Sequence, residues 1–185
     1  MSDQDRIRRF EQIALPHLDA AYNLARWLTR DSHDAEDVVQ ESFLRALKYV
    51  DGFHGGNARA WLLTIVRHTC YSWLRINRPK EVTGGFDETW YTEDEEERTT
   101  SEPPENDPWT LLQHSADAQM LDTAIAALPL DFREVLILRE LEDLSYKEIA
   151  RIANIPLGTV MSRLARARKL LQRVLMAYQT RESER

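Results

Sequence analysis

Apolar positions recur at helical spacing along most of the chain. Phe10, Ile13, Leu18, Ala21, Leu24, Ala25 and Leu28 keep to one face, so the first forty residues read as mostly helix, with Pro16 marking a kink or a fresh start. A second helix follows. Ser32 is a suitable N-cap, Asp34, Glu36 and Asp37 fill the first turn where the helix dipole favours carboxylates, and Val39, Phe43, Ala46 and Val50 form the buried stripe. Its opposite face is acidic. Gly52, Gly55 and Gly56 then break the chain before a third long helix from about Ala58 to Ile76.

The third helix has two readable faces. Leu62, Val66, Thr69, Trp73 and Ile76 form a core stripe, whereas Trp61, Thr64, His68, Tyr71, Arg75 and Arg78 interleave aromatic with basic side chains, and Arg67 lies beside them. Such a stripe is suited to stacking unpaired bases while neutralising their phosphates. An amphipathic helix whose Trp and Tyr edge the core would look the same, and the stripe alone does not separate the two readings.

Near the C-terminal end Ser145-Tyr146-Lys147-Glu148 is a capping box that starts a short helix with Ile149, Ile152 and Ala153 on its buried face. Asn154 can take the left-handed stop, Pro156 precludes simple continuation, and a helix restarts near Leu157 to Thr159. A short helix, a tight turn and a longer helix make the helix-turn-helix pattern, whose second helix enters the DNA major groove. Along that helix Val160, Leu164, Ala167, Leu171, Val174 and Tyr178 form the core side. Thr159, Ser162, Arg163, Arg166, Lys169 and Arg173 gather opposite, where hydroxyls and arginines can reach phosphates and base edges. An ordinary solvated Arg/Lys face is the plain alternative, but no acidic residue occurs between Glu148 and Glu182.

Charge changes the picture of domain organisation. The 185 residues carry 24 Lys plus Arg against 31 Asp plus Glu, a net of −7 that by itself argues against a nucleic-acid partner. The charge is uneven. Residues 1–79 hold 11 basic and 10 acidic side chains and residues 108–144 hold 2 and 7, whereas residues 145–185 hold 9 and 3, a net of +6. Residues 80–107 hold 2 and 11, a net of −9, together with two glycines, two prolines and the run Glu93 to Glu97. This segment cannot bury enough apolar area to offset the entropy of ordering, so it reads as a solvated linker in which Phe86, Trp90 and Tyr91 could at most dock as a short anchor. The expected organisation is all-α, with helical domains over 1–79 and 108–180 joined by an acidic linker over 80–107.

Several classes are disfavoured. One cysteine, Cys70, excludes an intramolecular disulfide framework, and the first residues lack the basic-then-apolar order of a signal peptide, which points to a cytoplasmic protein. No apolar run approaches the roughly 20 residues needed to span a bilayer, so membrane insertion is not expected. His33 and Glu36 at i, i+3 have no companion metal motif, and no Ser/His/Asp set or glycine-rich phosphate loop supports catalysis. Neither a metal, a cofactor nor enzymatic activity is expected.

The stretch Leu144-Ser145-Tyr146-Lys147-Glu148-Ile149-Ala150, with Ile155-Pro156-Leu157-Gly158-Thr159-Val160-Met161-Ser162-Arg163-Leu164-Ala165-Arg166-Ala167-Arg168, closely resembles the promoter-reading helix-turn-helix of extracytoplasmic-function (ECF) sigma factors. Asp34-Ala35-Glu36-Asp37-Val38-Val39-Gln40-Glu41-Ser42-Phe43 resembles the segment by which that family grips RNA polymerase. Arg59 to Arg67 resembles its promoter-melting helix, and Leu128-Pro129 with Phe132-Arg133-Glu134-Val135 resembles the start of its C-terminal domain. The motifs occur in the family's order and cover nearly everything except the acidic linker and the last few residues.

The resemblance implies a non-enzymatic subunit that binds core RNA polymerase, directs it to promoters and promotes melting. It places Asp37, Gln40 and Glu41 on the clamp helices of the polymerase largest subunit, and Trp61, Arg67, His68, Tyr71 and Arg75 on the melted −10 element. The −35 contacts fall to Thr159, Ser162, Arg163, Arg166 and Lys169. His68 stands where many relatives have Asn, and Met161 where many have a basic residue. An anti-sigma factor is a partner common in the family. Promoter elements about 17 base pairs apart are separated by roughly 58 Å, which a 28-residue linker extending to at most about 95 Å can span. Its relaxed span is nearer 30 Å, so simultaneous engagement implies stretching across a scaffold such as polymerase. The −9 linker facing a +6 tail also raises the expectation that linker acids screen the basic helix in the free protein. The rival reading is a stand-alone helix-turn-helix regulator that binds an operator without polymerase.

Overall fold

The computed structural model describes residues 2–83 and 118–185. The acidic run from Glu93 to Glu97, the anchor candidates Phe86, Trp90 and Tyr91, and residues 108–117 lie outside the described residues, and with them the expected linker screening. Every regular element among the described residues is helical.

The first bundle contains α1 (Asp3–Ala14), α2 (Leu18–Thr29), α3 (Ser32–Tyr49), α4 (Ala58–Asn77) and the short α5 (Pro79–Thr83), so the first residues assigned to the linker continue as helix. Local chemistry sets the boundaries. Ser2 and Asp5 form a reciprocal capping box at the start of α1, and a 3-10 turn over Leu15–His17, with Pro16 in it, separates α1 from α2. Arg30 takes the left-handed conformation (φ 58°) that ends α2. The cap of α3 is Asp31 rather than Ser32. The Asp31 backbone is extended and its carboxylate accepts from the N–H groups of His33 and Asp34 at 2.8 and 3.0 Å, whereas Ser32 is already helical. Asn57 caps α4 by accepting from the Ala60 N–H at 3.0 Å.

Ala21, Leu24, Ala25 and Leu28 of α2 meet Ala35, Val38 and Val39 of α3 and Leu62, Leu63, Val66, Cys70 and Leu74 of α4 in the core. Phe10 and Phe43 close one side edge to face, with ring centroids 5.9 Å apart. Two expectations are corrected. Leu18 is exposed, and so is Ile76, at 81%. A stripe repeating every 3.5 residues drifts about 20° per heptad around a straight α-helix. By the last turns of α4 the core line therefore runs through Cys70 and Leu74, while Trp73 is half-buried beneath the Arg78 guanidinium, 5.0 Å from its ring.

The second bundle contains α6 (Ala118–Ala126), α7 (Leu130–Glu140), α8 (Tyr146–Ala153) and α9 (Leu157–Ser183). The capping box at Ser145 forms as read, Asn154 stops α8 at φ 53° and ψ 51°, and Pro156 stands at the start of α9. Val160, Leu164, Ala167, Leu171 and Leu175 supply the buried face of α9, with Val174 and Tyr178 half-buried beside them.

Helix α7 is buried on all sides, with Leu130 and every residue from Phe132 to Leu138 below the surface. The cause is its position. It packs against α8 and α9 of its own bundle and against α2 of the other, and α8 in turn packs on α4. The two bundles thus meet along a seam between α2 and α4 on one side and α7 and α8 on the other.

Candidate polymerase and nucleic-acid interfaces

The acidic face of α3 is open to solvent. Asp37, Gln40 and Glu41 are exposed, Glu41 pairs with Arg45 one turn on, and Leu44 is exposed at 69%. The buried stripe Ala35, Val38, Val39, Ser42 and Ala46 faces inward and fixes this orientation. What remains outward is two carboxylates and an amide beside one large apolar side chain, suited to a partner surface that carries mainly donors and an apolar contact.

The second candidate surface lies on α9, which the capped α8 and the Asn154 turn aim outward. Thr159, Ser162 and Arg163 are half-buried, and Arg166, Lys169 and Arg173 are exposed. The Ser162 hydroxyl donates to the Thr159 carbonyl at 3.1 Å, and Arg163 lies 3.9 Å from the Asp131 carboxylate of α7. Arg168 points elsewhere and forks onto Glu140 through Nε and Nη2, at 3.0 and 2.5 Å. The exposed end of Met161 interrupts the polar surface.

The residues assigned to α4 divide into two groups. His68 and Arg75 are exposed, and Trp61 is half-buried with its ring 5.1 Å from that of Phe53. Burial and the charge of Arg67 together hold the His68 imidazole below its ordinary pKa, with Arg75 and Arg45 adding to the effect, so the ring favours its neutral form. Arg67 and Tyr71 instead turn into the seam. The Arg67 guanidinium lies 3.9 Å from the Tyr71 ring centroid and donates through Nε to Glu134 at 2.6 Å, while the Tyr71 hydroxyl donates to the same carboxylate at 2.7 Å. Burial opposes the Arg67 charge, but the Glu134 carboxylate more than offsets it and the guanidinium is held firmly protonated. Burial and the same carboxylate push the Tyr71 phenol well above its ordinary range. Arg78, counted in the same sequence stripe, is structural. It pairs with Asp34 and Glu81 and donates to the Thr29 carbonyl.

Sequence reasoning passed over the acidic side of this seam. Glu134 is completely buried and Glu142 is 4% exposed. Glu142 takes the Arg59 guanidinium at 2.6 Å, its backbone carbonyl accepts from the same group, and Asn57 donates to Glu148. One signal was available. Arg133 and Glu134 interrupt an apolar run from Phe132 to Leu138, and charges inside such a run must find buried partners. Arg133 finds the carbonyls of Ala126 and Leu128 at 3.0 Å and that of Leu28 across the seam at 3.4 Å. Burial, aided by nearby Arg30, lowers its pKa to about 10.

Among the described residues no three His, Cys, Asp or Glu side chains gather to hold a metal ion, and no helix is long and apolar enough to cross a membrane.

Comparison with known proteins agrees with this geometry. Residues 13–79 match the family description of Sigma-70 region 2, which spans α2 to α4, and residues 118–171 match Sigma-70, region 4, which spans α6 to α8 and the first half of α9. The chain is 32% identical over 171 residues to the RNA polymerase sigma-H factor of Pseudomonas aeruginosa, covering 91% of this chain and 86% of that protein. It is 33% identical over 172 residues to the ECF RNA polymerase sigma-E factor of Escherichia coli K12, covering 90% and 89%. Among solved structures, the sigma factor RpoE of Bartonella quintana, in complex with the anti-sigma factor NepR, superposes with a TM-score of 0.66 at 32% identity, covering 90% of this chain and 96% of that one. CnrH, solved with the cytosolic domain of CnrY, shares the fold at a TM-score of 0.61 and 23% identity. With both regions present in order and relatives matched over most of their length, the chain belongs to the ECF family of RNA polymerase sigma factors, the promoter-directing subunits of bacterial transcription initiation.

Proposed function

We propose that this sigma factor engages polymerase through α3 and reads its promoter with α4 and α9. Asp37, Gln40 and Glu41 meet the clamp helices of the largest subunit. Trp61, Arg67, His68, Tyr71 and Arg75 hold the melted −10 strand, and Thr159, Ser162, Arg163, Arg166 and Lys169 contact the −35 element. The observation that carries this reading is the one-signed face of α9 beyond a capped helix and a left-handed turn. That is the arrangement by which a helix-turn-helix lays its second helix in a major groove. The protein acts without catalysis of its own and works in the cytoplasm, where polymerase and promoters are. An anti-sigma factor is a natural partner, as NepR is for the Bartonella quintana relative.

Run-off transcription with reconstituted core polymerase on fragments of the native genome tests the proposal. Promoter-specific transcripts are expected only when both core and this chain are present. Specific duplex binding by the free chain, with no stimulation of core polymerase, would favour a stand-alone operator-binding regulator.

A further inference from the structure

We propose that Leu157 and Met161, with Ala165 behind them, determine sequence specificity at the −35 element, forming an apolar edge of α9 that reads thymine methyl groups in the major groove. This rests on the assignment of α9 to the −35 element.

Helix α9 exposes apolar side chains at its N-terminal end, the end that a helix-turn-helix directs at base edges. Leu157 is 42% exposed and Met161 41%, and Ala165 is exposed one turn further on. The three stand four residues apart and so follow one line along the helix. That line lies outside the core, which takes Val160, Leu164 and Ala167 instead. Gly158 beside it has no side chain, and the place a Cβ would take there has no atom within 4 Å, so the surface is open. Arg168, three residues beyond Ala165, is held against α7 by its fork onto Glu140 at 3.0 and 2.5 Å.

Charge identifies the occupant. No acidic residue occurs between Glu148 and Glu182, and Arg166 and Lys169 are exposed on the adjoining face. A surface of that sign fits phosphates, so the partner alongside the apolar line is a nucleic acid. The major groove of a duplex offers one apolar group, the C5 methyl of thymine, among N–H donors and oxygen and nitrogen acceptors. Leucine and alanine side chains neither donate nor accept, and a thioether accepts only weakly. Set against cytosine N4, adenine N6 or guanine O6, they displace water and leave a polar edge unpaired, whereas against a methyl group both surfaces gain by leaving water. Met161, unbranched and flexible, can follow the position of the methyl closely. Base pairs that place a thymine under Leu157 and Met161 are therefore preferred.

The experiment uses reconstituted holoenzyme on a promoter found in the run-off assay, with each thymine of the −35 region, on either strand, replaced in turn by deoxyuridine. The replacement removes the methyl alone and keeps the pairing and O4. Wild type should lose about fourfold in promoter affinity at one or two positions, as expected for one buried carbon group. Met161→Ala or Leu157→Ala should bind the thymine and uracil promoters alike at the position it reads. Both variants should melt close to wild type, because both side chains are at the surface. Uracil that serves as well as thymine at every position, or a loss that persists undiminished in both variants, would overturn the proposal. Weaker holoenzyme assembly by Met161→Ala at unchanged promoter affinity would also overturn it, by placing a protein partner on this line. Scrambling the −35 region separates this proposal from the assignment beneath it. Transcription that still depends on the −35 sequence leaves α9 as its reader, whereas transcription indifferent both to that sequence and to Arg166→Ala would overturn the assignment itself.

Discussion

Ser145 and Glu148 satisfy one another at the entrance to the helix-turn-helix. The Ser145 hydroxyl accepts from the Glu148 N–H at 3.2 Å, and the Glu148 carboxylate accepts from the Ser145 N–H at 2.8 Å. Helix α8 spans only Tyr146–Ala153, too short to persist without such a cap and its packing. Ser145→Ala should cost about 1 kcal/mol of stability, a typical figure for an N-cap of this type, measured by urea unfolding. Binding at the −35 element should weaken with it, since α8 orients α9.

Acid should undo the same cap. The backbone hydrogen bond from Ser145 is the chief reason the Glu148 carboxyl titrates below its ordinary value of 4.5, with the Ser145 hydroxyl, Asn57 and Arg59 adding to the effect. A carboxyl whose folded-state pKa is lowered stabilises the fold fully above its unfolded value and loses that contribution as pH falls through the folded one. The Tm difference between wild type and Glu148→Gln should therefore be constant from pH 7 to about 5 and should shrink below about 4.5. A gap that widened on acidification would contradict the cap's role.

On α9, Arg166→Ala should reduce −35-dependent transcription several-fold and leave polymerase binding intact. If Arg166 meets a phosphate, the salt dependence of promoter binding should fall by about one counterion. Loss of polymerase association instead would mean that this face has the other partner.

Asp37→Ala together with Gln40→Ala should weaken polymerase binding on the order of tenfold, because both side chains are exposed and their loss leaves the core of α3 untouched. Fluorescence titration with core polymerase provides the measurement. Unchanged affinity would reject α3 as the docking face.

The corrected core line of α4 can be tested by contrast. Leu63 is fully buried and Ile76 is mostly exposed. Leu63→Ala should cost about 2–5 kcal/mol, whereas Ile76→Ala should stay within about 0.5 kcal/mol. Chemical unfolding of the two variants decides the point.

Features whose cause lies within a few residues were legible in the sequence. Ser145 with Glu148, Asn154 before Pro156, and Pro16 between two helices each carry their own local chemistry, and the basic stripe of α9 emerges once charge is counted by segment. The misses have non-local or finer causes. Asp31 displaced Ser32 as the α3 cap by one residue because both are good caps, and only backbone conformation chooses between them. Ile76 was lost to the drift between a 3.5-residue stripe and a 3.6-residue helix. The burial of Tyr71 depends on Glu134, 63 residues away, and no periodicity within α4 can announce such a partner.

The burial of Cys70 bears on how this factor can be told to act. It is the chain's single cysteine, it lies in the core of α4, and burial raises its thiol pKa well above the ordinary range. A protonated, enclosed sulfur neither attacks a peroxide nor exchanges with a disulfide while the bundle is folded. Oxidative stress therefore has no direct handle on the folded chain through its only thiol; a redox signal reaching it that way would have to be sensed by another protein.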